Sequence, residues 1–253
     1  MTSLKTVIID DEPKLRKVLQ IKLEQYCPDI EIVETGGSMQ EGYEKIIKTT
    51  PDLVFLDISM PGGSGFDLLD KFDTINFEVI FVTGFNDNVL DVLKISSIKY
   101  LLKPVITADL ITAVQMAIVS KMSDNKVLKF QTLKHNLKHL GDQETKIVIP
   151  NNLDYYFVKL SQVIRLESLQ NHTRIHIKGE TPITSSLNIG VYKDMLTDYN
   201  FYGTDNFDLV NYNRITRYLC DGFVVMSDLT EIPVSKRRSK HLIEKILKTT
   251  EGQ

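Results

Sequence analysis

Charged side chains stand directly after three short apolar runs: Asp10 and Asp11 after residues 6–9, Asp57 after residues 53–56, and Lys103 after residues 100–102. Runs this apolar, separated by segments of helical length, predict strands that are buried on both faces of a parallel sheet. The carboxyl ends of such strands open onto one shared crevice. We therefore expect the carboxylates and the ammonium to converge on a site that accepts a phosphoryl group.

The residue types in this predicted site suit transfer of a phosphoryl group to an aspartate. Clustered carboxylates are costly unless they hold a hard cation, and Mg²⁺ prefers oxygen ligands. Asp57 can act as a nucleophile toward phosphorus, while Lys103 and the metal stabilise the charge on the transferring group. The alternative is that the acids cap the helices that follow, which explains Asp11 or Glu12 alone equally well. The combination of all these strand-end residues favours the phosphoryl site.

Two further residues are placed to sense a phosphoryl group. Residues 77–82 predict another strand, which ends at Thr83 and is followed by Gly84. The Thr83 hydroxyl can donate a hydrogen bond to a phosphoryl oxygen, and Gly84 leaves room for the group to enter. Tyr100, in the last predicted strand, can swing inward once Thr83 moves. Each residue alone would be explained by helix capping or packing, but their positions beside the predicted site favour a switch.

The first half of the chain, about residues 4–122, resembles the receiver domain of two-component response regulators. The motifs that carry the resemblance are Ile9-Asp10-Asp11-Glu12, Leu56-Asp57-Ile58-Ser59-Met60-Pro61-Gly62, Val82-Thr83-Gly84 and Tyr100-Leu101-Leu102-Lys103-Pro104. The resemblance implies an α/β flavodoxin-like fold with a five-stranded, doubly wound parallel sheet. It also implies a cis peptide bond between Lys103 and Pro104.

The same resemblance implies a ligand set and a partner. Mg²⁺ would be held by Asp11, Asp57 and the backbone carbonyl of Ser59, with Asp10 contributing directly or through water. A sensor histidine kinase would donate the phosphoryl group to Asp57. Every residue of the switch is present, so the sequence predicts a functional receiver.

Length and composition predict a two-part protein of the cytoplasm. The chain has 253 residues, which suits two domains. Its only cysteines, Cys27 and Cys220, give neither a disulfide framework nor a zinc spacing. The sequence has no signal segment and no long apolar span, so we expect no membrane association. The net charge of −3 divides into −7 over residues 1–124 and +4 over residues 125–253, and the basic half permits nucleic-acid binding.

The second half has a different, β-rich pattern. Short strands are predicted at residues 147–150, 154–159, 163–167, 173–177, 182–186, 208–210, 215–219, 223–226 and 231–234. One helix is predicted at residues 191–196, with Asn188 as its cap, and a basic helix at residues 236–248 closes the chain. This order differs from the helix-turn-helix modules that are common in regulators.

About residues 145–248 resemble the LytTR family of DNA-binding domains. The matching stretches are Ile164-Arg165-Leu166-Glu167-Ser168 with Asn171-His172-Thr173, Ser186-Leu187, Phe201-Tyr202 leading to Leu209-Val210-Asn211, and Ile232-Pro233-Val234-Ser235-Lys236-Arg237-Arg238. The resemblance implies a ten-stranded β fold whose loops enter major grooves of double-stranded DNA at paired repeats. It places His172, Asn206 and Arg237 where family members contact bases, and these side chains suit base edges. We expect Lys236, Arg238 and Lys240 to contact phosphates.

The segment after the paired aromatics departs from the family pattern. Gly203 stands where the family usually has an arginine, and Asp205 stands where it usually has a histidine. Asp208 adds a second negative charge. Since acidic groups repel phosphates, we expect weaker non-specific affinity and a greater dependence on dimerisation.

We therefore predict a receiver domain over residues 1–123, a linker over 124–143 and a LytTR-like DNA-binding domain over 144–253. The chain would control transcription after phosphorylation on Asp57, dimerise when phosphorylated, and perform no chemistry except Mg²⁺-dependent self-phosphorylation and dephosphorylation there. The alternative is a phosphorelay protein whose second domain binds a protein partner or binds DNA only weakly. An aspartate-nucleophile phosphatase is disfavoured because Ser59 stands where such enzymes need a second aspartate.

Overall fold

The chain forms two compact units, residues 1–134 and 135–253. The structure is a computed structural model that describes residues 3–84, 88–120, 126–139, 144–152, 154–204 and 207–250, without the side chains of residues 88, 126 and 247–250. None of the helices in these ranges combines the length and the apolar character that a bilayer-spanning segment needs.

The first unit alternates strands and helices. In chain order its elements are β1 (Leu4–Ile9), α1 (Pro13–Tyr26), β2 (Ile30–Gly36), α2 (Met39–Thr49), β3 (Leu53–Asp57), β4 (Ser59–Met60), β5 (Gly63–Ser64), α3 (Gly65–Asp70), β6 (Glu78–Thr83), α4 (Asn88–Ile95), β7 (Lys99–Leu102), α5 (Thr107–Ser120) and α6 (Lys126–Lys138). Five strands form a parallel sheet in the order β2-β1-β3-β6-β7. This is the flavodoxin-like arrangement that the sequence predicts, and the fold class is confirmed.

Burial explains why the central strands are so apolar. Every residue of β3 and of β6 is buried, since helices cover both faces of the sheet. Parallel pairing sets Ile9 of β1 opposite Leu56 of β3, and Asp57 opposite Val82 of β6. The strands that precede the predicted site residues therefore end at the same level.

Helix α6 lies in the segment predicted to be a linker, and the division between the two units falls within this helix. The polar, lysine-rich sequence of this segment predicts that its start continues the preceding helix and that the remainder is a linker, so a separate helix was not predicted. Phe130 and Leu133 are buried, and their spacing of three residues places them on one face of the helix.

The second unit is rich in antiparallel strands. Its elements are β8 (Lys146–Asn151), β9 (Asp154–Lys159), β10 (Val163–Leu169), β11 (His172–Ile177), β12 (Ile183–Ser185), α7 (Ile189–Met195), β13 (Phe201–Gly203), β14 (Asp208–Asn211), β15 (Ile215–Leu219), β16 (Phe223–Met226), β17 (Glu231–Pro233) and α8 (Lys236–Thr250). They form sheets in the orders β12-β11-β10-β14-β13, β15-β16-β17 and β8-β9. The predicted β-rich second half is confirmed, and Asn188 caps α7 through the amides of Gly190 and Val191.

The core of the second unit holds α8 against the strands. Leu242 of α8 is fully buried in a cluster with Ile164, Val210 and Val224, and Ile246, one turn further along α8, packs on the same cluster. Because these apolar positions lie four residues apart, they form a stripe that fixes the helix to the sheets.

Candidate functional site

The Lys103 ammonium is the centre of the site at the carboxyl ends of β1, β3 and β7. Its Nζ lies 2.6 Å from Asp57 Oδ2, 2.9 Å from Asp10 Oδ2 and 3.1 Å from Glu12 Oε1. Asp10 and Asp57 are only 3% and 5% exposed. The structure therefore brings together side chains that lie far apart in the sequence.

Burial and ion pairing shift the pKa values of Asp57 and Lys103 in opposite directions. Burial raises the pKa of the Asp57 carboxyl above its ordinary value, and the hydrogen bond and charge of Lys103 partly offset that effect. Burial would lower the pKa of Lys103, but its hydrogen bonds to Asp57 and Asp10 outweigh this and raise the pKa above its ordinary value. Lys103 is therefore a fixed positive charge beside the carboxylate.

The acidic side chains form a group that could hold a cation. Carboxylate oxygens of Asp10, Asp11, Glu12 and Asp57 all lie within 4.8 Å of one another. The Ser59 amide donates to Asp57 Oδ1 at 3.2 Å, so the backbone of Ser59 lies beside the same carboxylate. Asp10 and Asp57 are buried, Asp11 is half-buried and Glu12 is exposed, which gives hard oxygen ligands on one side and access to water on the other. This donor set fits Mg²⁺, which keeps several of its waters.

Glu12 belongs to this group, and sequence reasoning did not identify it as a site residue. It is the N-cap residue of α1, but its side chain makes no capping hydrogen bond and its carboxylate instead meets Lys103. The helix-cap explanation is therefore wrong for Glu12. Its place next to Asp11 in the first motif was the available signal.

Thr83 and Tyr100 lie on the two neighbouring strands at the edge of this site. Thr83 is the fully buried last residue of β6, and its carbonyl accepts a hydrogen bond from the Lys103 amide at 2.9 Å. Tyr100 is half-buried in β7, opposite Phe81 of β6. The Lys103–Pro104 peptide bond is cis, as the resemblance implies. A backbone hydrogen bond thus links Thr83 to the lysine.

Gly65 leaves no room for a side chain beneath the Asp57 backbone. A Cβ at residue 65 would lie 2.4 Å from the Asp57 carbonyl oxygen and 3.0 Å from Leu56 Cγ. Because one of these atoms is backbone, the clash cannot be relieved by rotating a side chain. We expect Gly65→Ala to lower the free energy of unfolding by about 1–3 kcal/mol and to slow phosphorylation, since the end of β3 must shift.

Gly84→Ala is the matched control for this prediction. A Cβ at residue 84 would meet nothing within 4 Å, so this variant should unfold like the wild type. Urea titrations of both variants measure the difference. Equal stability of the two variants would contradict the close packing between α3 and the end of β3.

The predicted DNA-contacting residues are described except for one. Lys236, Arg237 and Lys240 are exposed on the first turns of α8, and His172 is exposed at the start of β11. Asn206 lies outside the described residues, as does Asp205. The exposed cations at the start of α8 therefore form a basic surface that a polyanion can reach.

Arg238 of α8 has hydrogen-bond partners within the second unit. It is half-buried, and its Nη1 donates to the Gly203 carbonyl at 2.8 Å. Its own carbonyl accepts a hydrogen bond from the Tyr202 hydroxyl at 3.3 Å. The structure thus connects Arg238 to the end of β13.

Asp208 is paired within the second unit, so the interpretation that it adds a repulsive charge against DNA is corrected. Its carboxylate lies 3.2 Å from Arg165 Nη1, and the side chain is only 13% exposed. Arg165 also lies 3.5 Å from the carboxylate of Glu167, which His176 approaches to 3.0 Å. Burial raises the pKa of Glu167, but the hydrogen bond from His176 and the charge of Arg165 bring that pKa below its ordinary value. Arg165 of β10 thus offsets the negative charge of Asp208 on β14.

Comparison with known proteins agrees with both units. The profile of the response regulator receiver domain matches residues 6–115, and that of the LytTr DNA-binding domain matches residues 154–247. The sensory transduction protein LytT of Bacillus cereus is 22% identical over 249 residues, which cover 94% of this chain and 97% of that protein. The transcriptional regulatory protein BtsR of Salmonella typhi is 35% identical over 192 residues, 75% of this chain and 68% of that protein. Among solved structures, the receiver domain of the response regulator PhyR from Erythrobacter litoralis is 25% identical with a TM-score of 0.39, and the match covers 49% of this chain and 95% of that one.

Proposed function

The chain belongs to the two-component response regulators that join a receiver domain to a LytTr DNA-binding domain, and we propose that phosphorylation of its Asp57 controls its binding to DNA. The phosphoryl donor is a sensor histidine kinase, and the target is double-stranded DNA with paired repeats. This proposal includes the predicted division into a receiver over residues 1–123, a linker and a DNA-binding domain over 144–253. It also includes a cytoplasmic location.

One observation carries the proposal for the receiver. The ammonium of Lys103 contacts Asp57 and Asp10, both almost completely buried, at 2.6 and 2.9 Å. Two buried carboxylates around one lysine leave one negative charge in excess. Removing one member of such a group leaves a buried charge uncompensated, which is costly in free energy. The arrangement is therefore suited to a cationic ligand and an incoming phosphoryl group, rather than to structural support alone.

The residues have separate roles in the transfer. An Asp57 oxygen forms a bond to phosphorus as the bond to the donor imidazole nitrogen breaks, and that nitrogen keeps the electron pair and takes up a proton. Lys103 stabilises the charge on the phosphoryl oxygens. Mg²⁺ held by Asp11, Asp57 and the Ser59 carbonyl, with help from Asp10, would neutralise further charge on those oxygens.

Thr83 and Tyr100 connect the phosphoryl group to the surface beside β6 and β7. A dianion at Asp57 attracts the Thr83 hydroxyl, and Tyr100 fills the space that Thr83 leaves. Because Thr83 and Tyr100 lie on paired strands, the change reaches the neighbouring face without rearranging the sheet. The changed face then binds a second copy of the chain.

We expect a phosphate mimic, beryllofluoride with Mg²⁺, to shift the protein from monomer to dimer at micromolar concentration. Sedimentation velocity measures the mass distribution with and without the mimic. The Thr83→Val variant keeps the shape of the side chain but lacks the hydroxyl, so its response should be reduced. Identical distributions for wild-type protein in both conditions would remove the dimer from the proposal.

For DNA, we expect different effects from two exposed cations of α8. Arg237→Ala should weaken binding by about 1–3 kcal/mol and relax the preference at one base position. Lys240→Ala should weaken binding to all sequences alike and flatten the salt dependence by about one unit. The probes are duplexes that the phosphorylated wild-type protein selects from a pool of random sequence. Each variant is titrated with these duplexes at several salt concentrations. Equal behaviour of the two variants would contradict the division into base and phosphate contacts.

The alternative function is that the second domain binds a protein partner, or binds DNA only weakly. The sequence from Gly203 to Asp205 favours this alternative, because an arginine and a histidine of the family pattern are replaced by a neutral and an acidic residue. Retention on heparin and on random duplex separates the two functions. If the phosphorylated protein is retained on neither and enriches no duplex, the protein-partner alternative takes the place of DNA binding.

A further inference from the structure

We propose that Arg238 is a positioning residue, which fixes the end of β13 against the start of α8, and that it does not bind DNA phosphate. The inference rests on the proposed DNA-binding function and refines it. The position of Arg238 among basic residues predicts a phosphate contact like those of Lys236 and Lys240. Its contacts separate it from them.

Arg238 and its partners form a reciprocal pair of hydrogen bonds. The guanidinium of Arg238 donates to the backbone carbonyl of Gly203 at 2.8 Å. In the other direction, the hydroxyl of Tyr202 donates to the backbone carbonyl of Arg238 at 3.3 Å. Each of two adjacent residues of β13 is thus tied to one residue of α8. A pair of this kind fixes both the distance and the orientation between a strand and a helix.

His241, one turn further along α8, extends this connection. Its Nδ1 lies 3.1 Å from the Tyr202 hydroxyl, and the two rings meet edge to face with centroids 5.4 Å apart. The Tyr202 ring also packs on the core cluster that contains Leu242. The connection is therefore anchored in the interior of the domain.

The start of β14 is held by contacts of its own. Asp208 is paired with Arg165 at 3.2 Å, and the Asp208 carbonyl accepts from the Thr204 amide at 3.2 Å. The Phe207 carbonyl accepts from the Ser168 amide of β10 at 2.7 Å. One arginine thus contacts the last residue of β13 and another the first residue of β14, Arg238 at Gly203 and Arg165 at Asp208.

Burial agrees with a positioning role. Arg237 and Lys240 are exposed on the same helix, whereas Arg238 is half-buried. A guanidinium that already donates to a carbonyl would have to give up that hydrogen bond, or use its remaining N–H groups, to reach a phosphate. Contacts to base edges require side chains to be held within about 0.5 Å. Arg238 supplies that rigidity next to Arg237, so its loss should lower sequence-specific affinity and leave the number of phosphate contacts unchanged.

The first test measures the connection itself, without DNA. Hydrogen exchange of the full-length protein is followed in peptides that cover residues 200–211. The variants compared are Arg238→Ala and Tyr202→Phe. The control is Arg217→Ala, which changes an exposed arginine of β15. We expect faster exchange in this segment for the first two variants and wild-type exchange for the control. Unchanged exchange in both Arg238→Ala and Tyr202→Phe would overturn the inference.

The second test measures DNA binding, with the enriched duplex and a random duplex as probes. Tyr202→Phe keeps every charge and removes only one hydroxyl, so a phosphate-contact role for Arg238 predicts that this variant binds like wild type. The positioning role predicts that Tyr202→Phe and Arg238→Ala each lose about fivefold in affinity for the enriched duplex, with the wild-type salt slope. Lys240→Ala should instead lower the slope.

The outcomes of the two tests are distinguishable. A salt slope lowered by about one unit in Arg238→Ala, together with wild-type binding by Tyr202→Phe, would assign Arg238 to phosphate and overturn the inference. If wild-type protein enriches no duplex, the proposed DNA-binding function fails, and with it the role of Arg238 in that function. Hydrogen exchange would then still decide whether Arg238 holds β13.

Discussion

Incubation with acetyl phosphate and Mg²⁺ should add a single phosphoryl group to the protein and none to the Asp57→Ala variant. The reason is geometric. Asp57 stands at the end of the central strand β3, and its carboxylate is the one that Lys103 contacts most closely, at 2.6 Å. Intact mass spectrometry measures the added group, and removing Mg²⁺ with a chelator should abolish the reaction. Labelling of Asp57→Ala to the wild-type level would show that the assignment is wrong.

Two further variants make this experiment specific. Asp73→Ala removes an exposed carboxylate of the same domain and should be labelled like the wild type. Lys103→Met keeps the length of the side chain but removes its charge, so the rate of labelling should fall about 100-fold. A normal rate for Lys103→Met would contradict the role of Lys103 in stabilising the phosphoryl oxygens.

Arg165→Ala should destabilise the second domain by about 3 kcal/mol. Arg165 is 8% exposed and is shared between Asp208 and Glu167. Removal of the guanidinium takes the charge of Arg165 away from the carboxylates of Asp208 and Glu167, and the loss of a counter-charge from a largely buried carboxylate is costly. Urea unfolding of the full-length chain, read from hydrogen exchange of peptides in the second unit, measures the loss.

A double-mutant cycle tests whether the pair itself accounts for this loss. Arg165→Met with Asp208→Leu removes both charges and keeps apolar volume, so it should be more stable than Arg165→Met alone. Arg217→Ala, on the surface of β15, should change stability by no more than about 0.5 kcal/mol. Additive effects of the two substitutions at residues 165 and 208 would contradict the pairing.

The sequence by itself determined the first domain and most of its site. Asp10, Asp57 and Lys103 each end an apolar run, and parallel strands bring their carboxyl ends to one edge, so convergence follows from local patterns alone. The β-rich second half, its capped helix and its basic last helix were also predictable, because alternation, caps and turn residues are local signals. The start of the segment after residue 120 was predicted to continue the preceding helix, but a separate helix α6 was not predicted, because its apolar residues lie among lysines and other polar residues.

The tertiary structure decided which charges meet. Whether Glu12 caps α1 or joins Lys103 depends on where the end of β7 lies relative to the start of α1, and no local pattern specifies this. Asp208 is neutralised because β14 pairs with β10, which brings Arg165 beside it. Arg238 meets Gly203 because the apolar stripe of α8 fixes that helix over the strands. In each case the sequence gives the sign of the charge, but only the contacts between elements distant in the chain determine its partner, and therefore its role.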